Sequence, residues 1–144
     1  MFAGLKNKLG GAGKRMSGRT DLLEAVCASA ALVAAADGNI DDGEVAQALQ
    51  VVQNNQALSS AFDARTIEQT MDKMLNRAKG GFSGRAGLQK EINDVANKGV
   101  FDDNEAVFLI ALDVASADGD IGAKEKEVIA KLAKQLGVNP DNYL

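Results

Sequence analysis

The sequence contains no histidine and only one cysteine, Cys27, among its 144 residues. Without histidine the chain lacks the commonest general acid–base group of enzymes and a frequent metal ligand. A single cysteine excludes a disulfide bond within the chain. Because Cys27 lies in an apolar stretch with no basic neighbour in sequence, we expect a buried thiol that is not reactive. The chain is therefore predicted not to be an enzyme.

Proline and aromatic residues are also scarce. One proline and 4% aromatic residues accompany a hydrophobic fraction of 46%. A core of this composition is built mainly from Ala, Leu, Val and Ile, which favours packed helices. No apolar run is long enough to span a membrane, and the first residues lack the apolar core of a signal peptide. We therefore predict an all-α fold, a compact bundle of about six to seven helices, in a cytoplasmic protein.

The charge is unevenly distributed along the chain. The net charge is −4, but residues 1–19 carry five basic and no acidic side chains, which leaves −9 on residues 20–144. The strong negative charge of residues 20–144 argues against nucleic acid as the main partner. Glycines at 10, 11 and 13 favour a mobile N-terminal segment over residues 1–19. A contact with a membrane surface or a partner is the other interpretation. Residues 20–144 are predicted to form a single domain.

One stretch of sequence occurs twice. Residues 36–44 read ADGNIDDGE and residues 117–125 read ADGDIGAKE. The similarity continues upstream, where Val26 corresponds to Val107 and Val33 to Val114. Internal repetition of this kind sets an architecture. It predicts two helix–turn–helix units related by internal pseudo-symmetry.

Each repeated stretch can be interpreted as a turn between two helices. Glycine closes the first helix in a left-handed conformation, and the next helix begins near Asp41 or Gly122. The glutamate three residues later, Glu44 or Glu125, then occupies the capping-box position. On this interpretation the acidic residues serve only as helix caps.

A second interpretation is a metal site. An aspartate at a helix C-terminus lies where the helix dipole disfavours negative charge, and both turns place one there. Carboxylate and carbonyl oxygens suit a hard divalent cation, Ca²⁺ or Mg²⁺. The spacing matches the second half of an EF-hand loop, whereas the first half lacks acidic ligands, so we expect fewer protein ligands and more water. The candidate ligands are Asp37, Asp41, Glu44, Asp118, Asp120 and Glu125.

Apolar spacing predicts six helices. They cover residues 20–36, 42–55, 63–78, 83–97, 103–117 and 123–136. Between the two halves, residues 79–83 (KGGFS) are predicted to form a solvated linker, which belongs to a local basic patch with Lys73, Arg77 and Arg85. The linker has neither the spacing nor the lysine of a phosphate-binding loop.

The duplicated turn resembles that of the tellurite-resistance TerB family. Its second copy continues through Glu125, Ile129, Ala133, Leu136 and Gly137 in the manner of that family, and Phe62-Asp63 and Asn139-Pro140-Asp141 are similar as well. The resemblance covers nearly the whole chain. It implies an all-helical fold and a cytoplasmic role in resistance to tellurite and related stresses.

The resemblance also implies partners and ligands. The expected partners are other tellurite-resistance proteins, including a membrane protein of the TerC type, and a peripheral position at the inner membrane face stays open. Metal binding is implied at Asp37, Glu44, Asp118 and Glu125, which match the motif. We therefore expect a non-enzymatic, metal-associated adaptor. The alternative is a helical protein-interaction scaffold whose acidic turns are only helix caps.

Overall fold

Helices account for most of the computed structural model, which describes residues 16–144. In chain order they are α1 (Thr20–Ala34), α2 (Asp42–Asn54), α3 (Gln56–Ala61), α4 (Ala64–Ala78), α5 (Gly81–Ala96), α6 (Phe101–Ala115) and α7 (Ala123–Leu136). A short 3₁₀ helix, Pro140–Asn142, follows. The described part of the chain contains no β-strand. The predicted all-α bundle is confirmed, while the internal pseudo-symmetry stays a prediction.

Two details differ from the sequence-based prediction. A short helix, α3, follows α2 directly, because Asn55 caps it by accepting a hydrogen bond from the Leu58 N–H at 3.1 Å. The predicted linker over residues 79–83 is shorter than expected, since α5 already begins at Gly81.

No helix within residues 16–144 has both the length and the apolar character needed to cross a bilayer.

The fold is built around α1. This helix packs against α2, α4, α5, α6 and α7. Leu22, Val26 and Ala30 are fully buried, and most of its other residues are buried as well. Ser29 is also buried, and its hydroxyl donates to the Ala25 carbonyl at 2.9 Å, so that no polar group is left unsatisfied. A helix that is apolar nearly all round belongs at the centre of a fold.

Helix α6 is the second buried helix and packs against α1. Its buried residues run from Asp103 to Ala115 with one break. Small side chains such as Ala31 on α1 and Ala111 on α6 are fully buried, and alanine leaves room for neighbouring helices to approach closely. Both helices end in the repeated Asp-Gly turn, so their packing determines where the two turns lie.

The α4–α5 connection is unusually tight at Gly84. A Cβ atom added there would lie 1.8 Å from the Arg77 carbonyl oxygen, which no side chain can tolerate. Gly81, at the start of α5, has a φ of +73°, a conformation that favours glycine. The turn from α4 into α5 therefore depends on glycine at these two positions.

The folded part of the chain begins before residue 20. Met16 is fully buried, and the Arg19 guanidinium contacts Asp21 at 3.1 Å and Asp103 at 2.9 Å. Hydrogen bonding to Arg19 holds the pKa of the Asp21 carboxyl well below its usual range. Mobility was predicted for residues 1–19, of which residues 1–15 lie outside the described residues, and it stays a prediction.

Replacement of Gly84 by alanine should destabilise the protein. The Gly84→Ala variant must move the Arg77 carbonyl, and we expect a loss of about 1–3 kcal/mol. Gly87 is the matched control, because it lies in the same helix and a Cβ there meets no atom within 4 Å. Gly87→Ala should stabilise by roughly 0.5–1 kcal/mol through helix propensity. Urea unfolding measures both, and equal effects of the same sign would contradict the packing described.

The Cys27 thiol should be protected in the folded protein. Cys27 is fully buried, and burial, together with the charge of Glu24, raises its pKa to about 12. Since the thiolate is the reactive form, a thiol reagent should label native protein slowly and denatured protein rapidly. The Cys27→Ala, Ser60→Cys variant is the control, because Ser60 is exposed and its replacement should react quickly in both states. Rapid labelling of native wild-type protein would disprove the buried position.

Candidate functional site

The two acidic turns meet at one pocket. Its volume is about 340 Å³, and it lies between the C-terminal ends of α1 and α6 and the first turns of α2 and α7. The lining residues are Val33, Ala34, Asp37, Glu44, Gln47, Ala48, Val114, Asp118, Gly122, Ala123, Lys124 and Glu125. Four of the acidic side chains predicted as ligands therefore surround a single space, which we call the acidic pocket.

The first turn connects α1 to α2. Gly38 has a φ of +90° and reverses the chain after the α1 C-terminus. The Asn39 N–H donates to Asp37 Oδ1 at 3.2 Å, which fixes this carboxylate at the turn. Asp41 caps α2, since its Oδ1 accepts from the Glu44 N–H at 2.7 Å. Asp41 therefore supplies the side-chain cap, and its backbone N–H donates to the Glu44 carboxylate at the same helix start.

The second turn connects α6 to α7 and is capped differently. Gly119 has a φ of +105° and reverses the chain as Gly38 does. Gly122 is the N-cap of α7 and has no side chain to offer. The Glu125 side chain supplies the capping bond instead, because its Oε1 accepts from the Gly122 N–H at 3.0 Å. Glu125 thus caps its helix and lines the acidic pocket at the same time.

Glu44 is electrostatically the least favourable residue of the pocket. Its Oε2 atom is buried and accepts no hydrogen bond from the protein. Burial raises the pKa of the Glu44 carboxyl, and the negative charges of Asp37, Asp41 and Glu125 raise it further. A carboxylate crowded in this way is stabilised by a proton or by a cation. Among the described residues, Lys124 is the one basic residue that lines the pocket.

The other two predicted ligands do not line the pocket. Asp41 acts as the α2 cap, where its side chain accepts from the Glu44 N–H, and Asp120 is an exposed residue of the second turn. Within residues 16–144, no three Asp, Glu or Cys side chains are arranged to hold one metal ion directly. Metal binding by the six candidate residues therefore stays a prediction.

Two polar lining residues were not predicted. Gln47 lies three residues after Glu44 on α2, and Lys124 precedes Glu125 on α7. Helical spacing places Gln47 on the same face as Glu44, so this residue could have been identified from the sequence once α2 was assigned. Lys124 could not have been identified in this way, because it lines the pocket only when the two turns lie next to each other in the fold.

The comparison with known families agrees with this architecture. The family described as "Tellurite resistance protein TerB" matches residues 23–143. The chain belongs to the TerB family. The match includes both acidic turns and every helix after the start of α1. No curated protein and no solved structure matches the chain significantly.

Membership of the TerB family supports a role associated with tellurite resistance. The predicted family resemblance is therefore confirmed. In this TerB chain, residues of both Asp-Gly turns line one pocket. The chemistry of that pocket is a separate question, which depends on its acidic side chains.

Glu44 should make the stability of this TerB chain depend on pH. Because the pKa of Glu44 is raised above its ordinary value of 4.5 in the folded state, the folded state binds this proton more tightly than the unfolded state. The contribution of Glu44 to stability should then be largest below pH 4.5 and decline as the pH rises through the raised pKa. Glu44→Gln removes this decline, so the variant should gain stability relative to wild type as the pH rises above 4.5.

Urea unfolding at several pH values tests this prediction. Glu127→Gln is the control, because Glu127 is exposed and lies outside the acidic pocket. The stability difference between this control and wild type should change little with pH. A Glu44→Gln difference that is the same at both ends of the pH range would contradict the electrostatic account of Glu44.

Proposed function

We propose that this TerB chain is a non-enzymatic adaptor in a tellurite-resistance system and that its acidic pocket binds a hard divalent cation, Ca²⁺ or Mg²⁺. The observation that carries the proposal is the convergence of both turns on one pocket, with Asp37, Glu44, Asp118 and Glu125 around it. A divalent cation would neutralise carboxylates that otherwise repel one another.

The chemistry of the pocket fits a cation that keeps part of its water shell. The buried Glu44 Oε2, which accepts no hydrogen bond, offers an acceptor with strong negative potential. Mg²⁺ commonly binds proteins through one or two carboxylates and retains several waters, and Ca²⁺ tolerates mixed water and carboxylate ligands. A pocket of about 340 Å³ has room for an ion with its waters. Such an ion would contact one or two of the pocket carboxylates directly and reach the others among Asp37, Glu44, Asp118 and Glu125 through its waters.

The proposed adaptor role is supported by the number of elements that meet at the pocket. Residues of α1, α2, α6 and α7, or of the turns between them, line it. A cation would neutralise carboxylates of both turns at once and would thereby stabilise a surface for a partner. We propose partners among other tellurite-resistance proteins, including a TerC-type membrane protein, and a cytoplasmic position with contact at the inner membrane face.

The proposal assigns the chain no catalytic step. The sequence has no histidine, and the Cys27 thiol is buried with a raised pKa. Reductive chemistry on tellurite would need an accessible thiolate or a redox cofactor. A cation in the acidic pocket is therefore proposed as a structural and regulatory ligand.

The alternative is a protein-interaction scaffold whose acidic turns are only caps. Two observations favour it: Asp41 caps α2, and Glu125 accepts from the backbone at the start of α7. Asp37 and Asp118 are the residues that separate the two functions, because neither caps a following helix and both line the pocket.

The Asp37→Asn, Asp118→Asn double variant tests cation binding. We expect it to bind Mg²⁺ or Ca²⁺ at least about tenfold more weakly than wild type, to stay helical without metal, and to lose function in a cellular tellurite-resistance assay. Without metal it should be as stable as wild type or more stable, by up to about 1 kcal/mol, because two charges leave the negative ends of α1 and α6. Calorimetric titration and circular dichroism measure these effects.

The control removes the same charge elsewhere. Asp72 and Asp94 are exposed helix residues outside the acidic pocket, and the Asp72→Asn, Asp94→Asn variant should bind cations and support resistance as wild type does. A pocket variant that is stable, indifferent to metal and fully active would leave the scaffold as the function. Equal loss of affinity in both double variants would mean that only overall charge attracts the ion.

A further inference from the structure

The connection between α4 and α5 forms a second surface feature, which we call the α4–α5 corner and define as Lys79, Gly80, Gly81, Phe82 and Arg85. Its backbone conformation is fixed by the positive φ of Gly81 and by the close approach of Gly84 to the Arg77 carbonyl. The corner therefore presents its side chains from a tight turn.

Phe82 is the most unusual side chain of the corner. It is 89% exposed, more than any other large hydrophobic residue within residues 16–144. The Arg85 guanidinium lies over its ring, with the guanidinium carbon 5.4 Å from the ring centroid. An arginine stacked on an aromatic ring is oriented in one direction and keeps its hydrogen-bond donors available. Aromatic residues and arginine are also the side chains enriched at the centres of protein interfaces.

A pocket lies beside this pair. It has a volume of about 300 Å³ and is lined by Ala35, Gly38, Asn39, Ile40, Ala78, Lys79, Gly81 and Arg85. Its charged lining residues, Lys79 and Arg85, are both basic. It differs from the acidic pocket in sign, although different residues of the same α1–α2 turn line the two pockets.

The basic side chains of this pocket differ from their basic neighbours in having no acidic partner among the described residues. Two nearby cations are paired: Lys73 with Glu24 at 3.2 Å and Arg77 with Glu91 at 3.2 Å. Lys79 and Arg85 form no ion pair in the described structure. In a body whose residues 20–144 carry a net charge of −9, two unpaired cations beside an exposed aromatic ring indicate a binding surface.

We propose that the α4–α5 corner is a docking surface for an acidic segment of a partner protein, in which a carboxylate enters the basic pocket and a neighbouring apolar side chain packs on Phe82. Lys79 and Arg85 supply charge complementarity, and the stacked guanidinium suits bidentate binding of a carboxylate. The docking surface is additional to the proposed cation site and involves none of its acidic residues.

A protein segment fits this surface better than a lipid bilayer does. An anionic bilayer presents negative charge over a wide area, which the acidic remainder of the chain would oppose. A peptide segment presents its carboxylate only at the corner. The pocket also has the concave shape that holds one side chain, whereas a bilayer contact needs a flat or protruding apolar face.

A random peptide library displayed on phage, selected against the full-length protein, tests the proposal. The selected peptides should be enriched in Asp or Glu adjacent to an apolar residue. A synthetic peptide of the selected sequence should shift the backbone amide NMR signals of Gly81, Phe82 and Arg85. Its binding should weaken as the salt concentration rises, as expected for charge pairing at a surface.

Variants of the corner supply the specific test. The Lys79→Glu, Arg85→Glu variant should weaken binding of this peptide by about tenfold or more. Phe82→Ala should weaken it by about fivefold or more, and an exposed side chain can be removed without disturbing the core. The matched controls are Arg65→Glu, at an exposed residue of α4, and Phe101→Ala, at a 52% exposed phenylalanine outside the corner. Both controls should bind the peptide as wild type does.

Three results would overturn the proposal. The first is selected peptides without acidic enrichment, or peptides whose binding the corner variants leave unchanged. The second is Phe82-dependent binding to phosphatidylglycerol vesicles without peptide binding, which would assign the corner to a membrane. The third is Phe82-dependent self-association without peptide binding, which would assign it to a second copy of the chain. The Asp37→Asn, Asp118→Asn variant should still bind the peptide, so failure of the cation proposal leaves this one intact.

Discussion

The packing of α1 against α6 is the constraint on which the rest of the structure depends. Both helices are buried over most of their surface, so neither can move without exposing apolar area to water. Each ends at a glycine that reverses the chain, Gly38 or Gly119. Because the helix ends lie together in the core, the turns that follow them must share one surface. The acidic pocket is thus a consequence of core packing.

The electrostatic cost of this arrangement falls mainly on Glu44. Negative charge near a helix C-terminus is unfavourable, and the fold places Asp37 and Asp118 at two such ends beside one pocket. Glu44 adds a buried oxygen that accepts no hydrogen bond, and its pKa is raised by burial and by neighbouring carboxylates. A fold that only needed caps would not require these charges, since Asn or Ser caps a helix as well. The excess negative charge is therefore the strongest argument for a positively charged ligand.

Features that depend on residues close together in the sequence could be predicted from it. Apolar spacing placed six helices within a few residues of their ends, and the Asp-Gly pairs located both turns. It could not predict that the turns share a pocket, because this depends on contacts between residues about 80 positions apart. The short α3 was missed, since its six residues are too few to show a helical period. The linker predicted over residues 79–83 is a tight turn in the structure, because Gly84 lets the α5 backbone lie close to the Arg77 carbonyl. Helix propensities of single residues do not describe such a close approach.

One difference between the two turns explains why the pocket is asymmetric. Where the first turn has Asp41, the second has Gly122. The Asp41 side chain caps α2, and the Glu44 side chain lines the pocket with its Oε2 buried and without a partner. Gly122 has no side chain, so the backbone at the start of α7 takes its acceptor from Glu125. The two glutamates occupy equivalent positions in sequence, but only in the first turn does a second side chain, that of Asp41, cap the helix, and only there is one glutamate oxygen, Oε2, buried without a partner. Two similar stretches of sequence therefore build a single site with unequal halves, in which Glu44 offers the acceptor that the protein itself does not use.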